Sequence, residues 1–173
     1  MGDEFLPGLK MARDSSMHDV KRLLINPLLE PHSNPKRLII PADGFYEWKK
    51  EGKQKQPYYF RQGNGKPFAL AGLYDTWRLG DEKITTFTIL TTDANETMNP
   101  IHNRMPVILL EEDYDEWLDV NQTDKEKLSR MLKPYPAERM EGYPVQTMVN
   151  SPTNDRQQKI LSQFRLGNNL LFK

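Results

Sequence analysis

The 173-residue chain contains no cysteine and only three histidines. The lack of cysteine excludes disulfide bonds, thiol nucleophiles and sulfur-ligated metals within this sequence. The three histidines are His18, His32 and His102, and so small a number does not predict a histidine metal site. We therefore expect neither a metal nor another cofactor.

Long hydrophobic runs are also missing. No apolar stretch approaches the roughly 18–20 residues needed to span a bilayer, and residues 1–8 lack the basic and apolar regions of a signal peptide. We therefore expect a cytoplasmic protein without membrane contact. The 24 basic and 24 acidic residues cancel. This balance disfavours nonspecific coating of nucleic acid but allows a local basic groove.

Strand signals are frequent between residues 37 and 92. β-Branched and aromatic segments alternate there with turns rich in glycine, asparagine and charged residues. The segments are Arg37–Pro41, Phe45–Lys49, Pro57–Arg61, Phe68–Tyr74 and Ile84–Thr92. Their spacing predicts an antiparallel meander.

The pattern becomes mixed after residue 92. Asp93 followed three residues later by Glu96 has the spacing of a capping box and predicts a short helix. Further strands are predicted at Met105–Leu110 and Tyr143–Val149, and surface helices at Glu111–Leu118 and Asp124–Leu132. These elements predict an α+β fold of mainly antiparallel sheet, curled into a partly closed barrel with short flanking helices.

Glu47 is a candidate for acid–base chemistry. Alternation along its strand places Glu47 and Lys49 on one face, and Tyr46 and Trp48 on the other. A carboxylate among aromatic residues is costly unless it is paired or functional, and enzymes use such surroundings to prepare a glutamate for proton transfer. The alternative is a structural glutamate paired with Lys49 or, across a hairpin, with Arg61.

A second candidate site lies in the loop between Pro100 and Pro106. His102 is suited to move protons near neutral pH, and Arg104 is suited to hold a phosphate. The alternative is a histidine hydrogen-bonded to loop backbone and an arginine in a surface ion pair.

A basic run follows Glu47 and includes Lys49, Lys50, Lys53 and Lys55. Most such runs are simply solvated. This one lies beside the candidate glutamate, so it is also a candidate edge of a binding site.

Taken together, these segments resemble the SRAP family of SOS response-associated peptidases, or abasic-site processing proteins. The resembling stretches are Arg37–Trp48, Phe68–Tyr74 with Trp77, Phe87–Thr92, Ile101–Leu109 and Tyr143–Pro152. The resemblance implies an SRAP domain at residues 37–160, incomplete at its N-terminus and of the SRAP barrel type. A divergent segment, 1–36, would precede it, and a tail, 161–173, would follow.

Proteins of the family bind abasic sites in single-stranded DNA during the DNA damage (SOS) response. Their N-terminal cysteine forms a thiazolidine crosslink with the opened sugar, and peptidase and lyase activities accompany this chemistry. The resemblance implies that Glu47 assists ring opening and that His102 acts at the sugar oxygen, both as catalytic residues. It implies DNA contacts for Arg104, Thr92 and Arg13, the last in a segment similar to the family's Asn-Ala-Arg motif.

Gly2 occupies the position at which the family has its cysteine. We therefore expect a monomeric protein that binds abasic sites in single-stranded DNA and has lost the crosslinking chemistry. In a bacterium it would be associated with the nucleoid. The alternative function is a non-catalytic module that keeps the SRAP fold and binds single-stranded DNA or a protein.

Overall fold

The computed structural model describes residues 9–11 and 36–150 of the chain. Its strands are β1 (Leu9–Met11), β2 (Lys36–Ala42), β3 (Phe45–Glu51), β4 (Gln54–Gln62), β5 (Phe68–Leu79), β6 (Glu82–Ile89), β7 (Thr91–Asp93), β8 (Arg104–Pro106) and β9 (Met140–Pro144). Its α-helices are α1 (Tyr114–Leu118) and α2 (Lys125–Met131). Short 3₁₀ helices occur at Glu111–Asp113, Ala137–Arg139 and Thr147–Asn150.

The described strands form three sheets, with the orders β1-β6-β5-β2, β3-β4-β9 and β7-β8. Every pair is antiparallel except the parallel pair of β1 with β6. The predicted α+β fold of mainly antiparallel sheet is confirmed. The predicted closure into a barrel is not found among these strands. The consecutive strands β2 and β3 pair with different partners, β5 and β4, and therefore belong to separate sheets.

Strand β5 has buried side chains on both of its faces. Ala69 and Ala71 face a helix-side cluster, whose other buried members are Leu90, Val107, Leu109, Trp117, Leu128, Met131 and Leu132. Phe68 and Leu70 face a site-side cluster, whose other buried members are Phe60, Met98, Met105, Ile108, Tyr135 and Met140. The alternation of side chains along one strand thus divides the core into two parts.

Arg37 attaches α1 to strand β2. Its guanidinium donates to the backbone oxygens of Trp117 at 2.6 Å, of Gln122 at 3.1 Å, and of Asp119. The indole N–H of Trp117 donates in return to the Leu38 oxygen at 3.0 Å. The bond to Trp117 satisfies a carbonyl in the last turn of the helix, and the bonds to Asp119 and Gln122 reach the loop that follows. Together they hold the helix against the sheet.

The helix predicted to begin at Asp93 is wrong. Asp93 is the last residue of β7, and its carboxylate accepts a hydrogen bond from Arg104 at 3.0 Å. Asn95 organises the turn that follows, because its Oδ1 accepts the Met98 N–H at 2.9 Å and its Nδ2 donates to the Tyr135 oxygen at 2.7 Å. Such side-chain bonds to backbone compete with helix formation.

Several strand boundaries also differ from expectation. The strand predicted at Met105–Leu110 is the shorter β8, which ends at Pro106. The strand predicted at Ile84–Thr92 is divided at Leu90, whose N–H donates to Ala71 and whose carbonyl accepts from Val107, each at 2.9 Å. The strand predicted at Tyr143–Val149 lies earlier, as β9, and is followed by a 3₁₀ helix. The predicted surface helices are confirmed as α1 and α2, and Asp124 caps α2 by accepting two backbone N–H groups.

Several predictions concern residues outside the described part of the chain. They include Arg13, the tail 161–173 and nearly all of the segment 1–36. No helix among the described residues is long and apolar enough to cross a membrane.

Three tyrosines form a row on the outer face of the β3-β4-β9 sheet. The rings of Tyr46 and Tyr59 have centroids 5.0 Å apart, and those of Tyr59 and Tyr143 are 5.8 Å apart. Burial raises the pKa of all three phenols above the ordinary value of 10.0, and repulsion from Tyr143 raises the pKa of Tyr46 and Tyr59 further. The three rings pack against each other on the face of the sheet opposite Phe60, and their raised pKa values favour the neutral form of each phenol.

We predict that alkaline conditions destabilise the fold through this row. Because the folded-state pKa values are raised, the stability from the neutral phenols is complete below pH 10.0 and is lost as the pH rises through the folded values. The denaturation midpoint of the original protein should decrease between about pH 9 and pH 11. Substitution of Tyr46, Tyr59 and Tyr143 by Phe should make this decrease smaller. An equal loss in both proteins would contradict the assignment.

Gly44 permits the close approach of β3 to β4. A Cβ at this position would overlap the backbone oxygen of Phe60 and the ring of Tyr59. A Cβ at Gly63, in contrast, would have its nearest neighbour 3.6 Å away, on Glu141. The first position therefore requires glycine for steric reasons, and the second does not.

We predict that Gly44→Ala lowers the free energy of unfolding by about 2–3 kcal/mol, because relief of the overlap requires a backbone shift. The matched control Gly63→Ala should stay within about 0.5 kcal/mol of the original protein. Urea denaturation of the two variants measures the difference. Similar stabilities for both would show that β3 and β4 can separate at little cost.

Candidate acid–base site

Phe45 positions β3 on the site-side cluster. Its ring stacks on Phe60 with centroids 5.3 Å apart and lies 5.9 Å from the ring of Phe68. Glu47 follows two residues later on the same face of the strand, directly opposite Tyr58. The packing of Phe45 therefore determines where the Glu47 carboxylate lies.

The Glu47 carboxylate is held by its own strand. Oε1 accepts the backbone N–H of the next residue at 3.0 Å. The two cations that the sequence offered as partners are paired elsewhere, Lys49 with Glu51 at 3.5 Å and Arg61 with Glu141 at 3.0 Å. Within the described residues Glu47 forms no ion pair, so its second oxygen is left for a ligand.

The His102 ring is held by the backbone of its own loop. Nδ1 lies 3.1 Å from both the backbone nitrogen and the backbone oxygen of Arg104. When Nδ1 accepts the amide hydrogen, the neutral ring carries its proton on Nε2, and when Nδ1 donates to the oxygen, Nε2 is a free base. Either arrangement fixes the ring and leaves Nε2 for proton transfer.

Glu47 and His102 lie on one cavity of about 540 Å³. The residues that line it are Glu47, Trp48, Lys50, Lys55, His102 and Asn150. β3 is at the edge of its sheet among the described strands, so residues from both of its faces reach the same cavity. The structure thus brings together a carboxylate and an imidazole that are 55 positions apart in the sequence.

Arg104 and Thr92 are not among the described residues that line this cavity. The Arg104 guanidinium donates to the Asp93 carboxylate at 3.0 Å, to the Thr91 carbonyl at 2.7 Å and to the Thr91 hydroxyl at 3.1 Å. Thr92 is buried in β7, opposite Met105. The structure therefore shows Arg104 within the ion pair that the sequence analysis offered as its alternative role.

Several cavity residues received no individual role from the sequence. Asn150 accepts the indole N–H of Trp48 at 2.6 Å and so connects the end of the described chain to β3. Lys50 and Lys55 were expected only as part of a basic run. Once the hairpin turn is located at Gly52, the antiparallel register of the two strands places Lys50 opposite Lys55.

The described residues contain no group of three or more histidine, cysteine, aspartate or glutamate side chains that is able to hold a metal ion. The cavity of Glu47 and His102 is lined by polar side chains of several kinds. It has one carboxylate, one imidazole, two ammonium groups and one amide. This set can transfer protons and bind an anion.

We predict that Arg104→Ala lowers the free energy of unfolding by about 1–3 kcal/mol, because the buried Thr91 carbonyl loses a charged donor. Arg78→Ala, at an exposed position of β5, is the matched control and should change stability by less than about 0.5 kcal/mol. Urea denaturation measures both. If the two variants unfold alike, the bonds of Arg104 contribute nothing to stability.

Comparison with known proteins places the site in context. The family model described as SOS response associated peptidase (SRAP) matches residues 20–152. The chain is 46% identical over 129 residues to abasic site processing protein YoqW of Bacillus subtilis, an alignment that covers 73% of this chain and 58% of that protein. It is 38% identical over 141 residues to abasic site processing protein HMCES of Gallus gallus, covering 69% of this chain and 41% of that one.

Solved structures agree with the sequence matches. A crystal structure of a protein from Bacteroides thetaiotaomicron superposes with a TM-score of 0.63 at 37% identity, over 69% of this chain and 54% of that one. A crystal structure from Bordetella bronchiseptica gives a TM-score of 0.57 at 34% identity, over 64% and 55% of the two chains. The chain thus spans 58% or less of each protein named here. Because the family match covers most of its residues, the chain belongs to the SRAP family.

Proposed function

We propose that this protein binds abasic sites in single-stranded DNA, as part of the response to DNA damage, and receives the abasic sugar in the cavity of Glu47 and His102. The observation that supports the proposal is the convergence of these two residues on one cavity in a member of the SRAP family. The curated relatives are named abasic site processing proteins, and an abasic sugar offers hydroxyl groups on which an acid and a base can act.

In the proposed reaction the two residues open the sugar ring. Glu47 accepts the proton of the C1′ hydroxyl through the carboxylate oxygen that the strand leaves free. The C1′–O4′ bond breaks as the C1′ aldehyde forms, and His102 gives a proton to O4′ from Nε2. The hydrogen bond of Nδ1 to the loop backbone keeps the ring in place during the transfer.

We further propose that this chain does not form the covalent crosslink. A thiazolidine requires an amine and a thiol on one residue, and the sequence contains no cysteine. The peptidase chemistry of the family depends on the same residue and should be absent as well. The activity that remains for Glu47 and His102 is non-covalent recognition of the lesion, with at most residual strand cleavage.

The second candidate function is a non-catalytic module that binds single-stranded DNA or a protein partner. The internal engagement of Arg104 with Asp93 and Thr91 favours it, because that guanidinium must leave these partners before it can hold a phosphate. The two functions differ in whether binding depends on the lesion.

For the whole chain we propose a monomer that acts in the cytoplasm, or at the nucleoid if the source is bacterial. Residues 37–160 would form the SRAP domain, between the segment 1–36 and the tail 161–173. Its three described sheets would belong to an SRAP-type fold such as its relatives have. Arg13, Thr92 and Arg104 remain proposed DNA contacts in this arrangement.

We predict salt-dependent binding of single-stranded oligonucleotides, with about tenfold preference for a strand that contains an abasic site. Affinity should fall steeply between about 50 and 200 mM salt, because bound phosphates release counterions. Glu47→Gln and His102→Gln should each remove most of the preference for the lesion, because each replaces an ionisable partner of the sugar by a neutral amide that forms weaker hydrogen bonds. Fluorescence anisotropy measures these affinities.

The intact strand of the same sequence is the control, and both variants should bind it within about twofold of the original protein, because phosphate contacts do not read the lesion. Equal affinity for abasic and intact strands would favour the non-catalytic module. The absence of crosslinking is tested on denaturing gels after heating. A shifted band there would disprove it.

A further inference from the structure

Lys50 and Lys55 face each other directly across the β3–β4 hairpin. Two residues further along the hairpin, Trp48 faces Pro57, which has no N–H and cannot take part in a hydrogen-bonded pair. Pairs alternate along an antiparallel ladder, so the Lys50–Lys55 pair is of the non-hydrogen-bonded type as well. Side chains approach each other most closely in pairs of this type.

This arrangement is unfavourable for the protein alone. Like charges directly opposite each other destabilise a pair of strands. Lys49, which precedes Lys50 in the strand, forms an ion pair with Glu51 at 3.5 Å. Lys50 and Lys55 form no ion pair with any residue in the described ranges 9–11 and 36–150. Two adjacent ammonium groups that form no ion pair within those ranges favour an anionic ligand.

Both lysines line the cavity that contains Glu47 and His102. They are exposed, so a ligand can reach them, and they lie where the proposed sugar would be bound. We propose that Lys50 and Lys55 together bind one backbone phosphate of the DNA strand, next to the abasic sugar. This inference rests on the proposed function and adds the residues that hold the strand in the cavity.

A phosphodiester fits the pair for two reasons. Its two non-bridging oxygens share one negative charge and can accept from both ammonium groups at once. An abasic nucleotide has no base, so a protein that recognises it must hold the strand by sugar and phosphate, and lysines contact phosphate without reading sequence. Arg104 is less suited to bind this phosphate, because its guanidinium already donates to Asp93 and Thr91.

The test uses the salt dependence of binding in four variants of the full chain. They are Lys50→Gln, Lys55→Gln, the double substitution, and Lys53→Gln as the matched control at the hairpin tip, which does not line the cavity. The slope of log affinity against log salt changes by about 0.7 for each phosphate neutralised on a single strand. One phosphate held by two lysines therefore gives a different pattern from two phosphates held separately.

We expect each single cavity variant to lose about two- to fivefold in affinity at about 50 mM salt, with little change in slope, because one lysine still neutralises the phosphate. The double variant should lose about tenfold and reduce the slope by about 0.7. Lys53→Gln should change neither. All variants should fold, because the three positions are exposed and the substitutions at Lys50 and Lys55 remove a repulsion.

Two outcomes would overturn the inference. A double variant that binds like Lys53→Gln would show that the pair does not contact DNA. A slope loss of about 0.7 in each single variant and about 1.4 in the double would indicate two separate phosphates. If the original protein binds no strand at all, the proposed function fails with the inference, whereas the other outcomes leave that function intact.

Discussion

The site depends on one packing contact, that of Phe45 on Phe60 and Phe68. Phe60 and Phe68 are almost completely buried, and a buried side chain of this size contributes about 1.5–3 kcal/mol to stability. The same site-side cluster contains Met98 and Met105, and Ile101 packs against it. The cluster therefore holds β3 and the loop of His102 together, and the separation of Glu47 from His102 follows from how their apolar neighbours pack.

Strand β5 connects this cluster with the rest of the fold. Its alanines leave room on one face for the helix-side cluster around Trp117, while Phe68 and Leu70 fill the other face. Arg37 holds α1 on the far side through backbone carbonyls. The two α-helices contribute no residue to the lining of the cavity, whereas the 3₁₀ helix Thr147–Asn150 contributes Asn150.

Local signals in the sequence were sufficient for the hairpins and the faces of β3. Gly52 and Gly80 have φ of 62° and 63°, a conformation that glycine adopts without strain, so the turns were recognisable. The helix predicted at Asp93 failed because Asn95 forms bonds with backbone groups, one of them 40 residues distant in the chain, which no local pattern reveals. The convergence of Glu47 and His102 was implied by the family resemblance alone, since it depends on contacts between distant segments.

The side chains that line the cavity are of two kinds, which differ in how firmly the surrounding protein holds them. Glu47 and His102 each have a hydrogen bond to neighbouring backbone, which fixes the two groups to which the proposed function assigns contact with the sugar. Lys50 and Lys55 are exposed and without ion pairs in the described part of the chain, so their ammonium groups can follow a strand of any sequence. Proton transfer requires fixed geometry, whereas attraction of a phosphate requires only charge within reach. In the proposed function, a fixed acid–base pair beside adaptable cations would suit a lesion without a base, because the sugar is then contacted at defined atoms and the flanking nucleotides are contacted through phosphate alone.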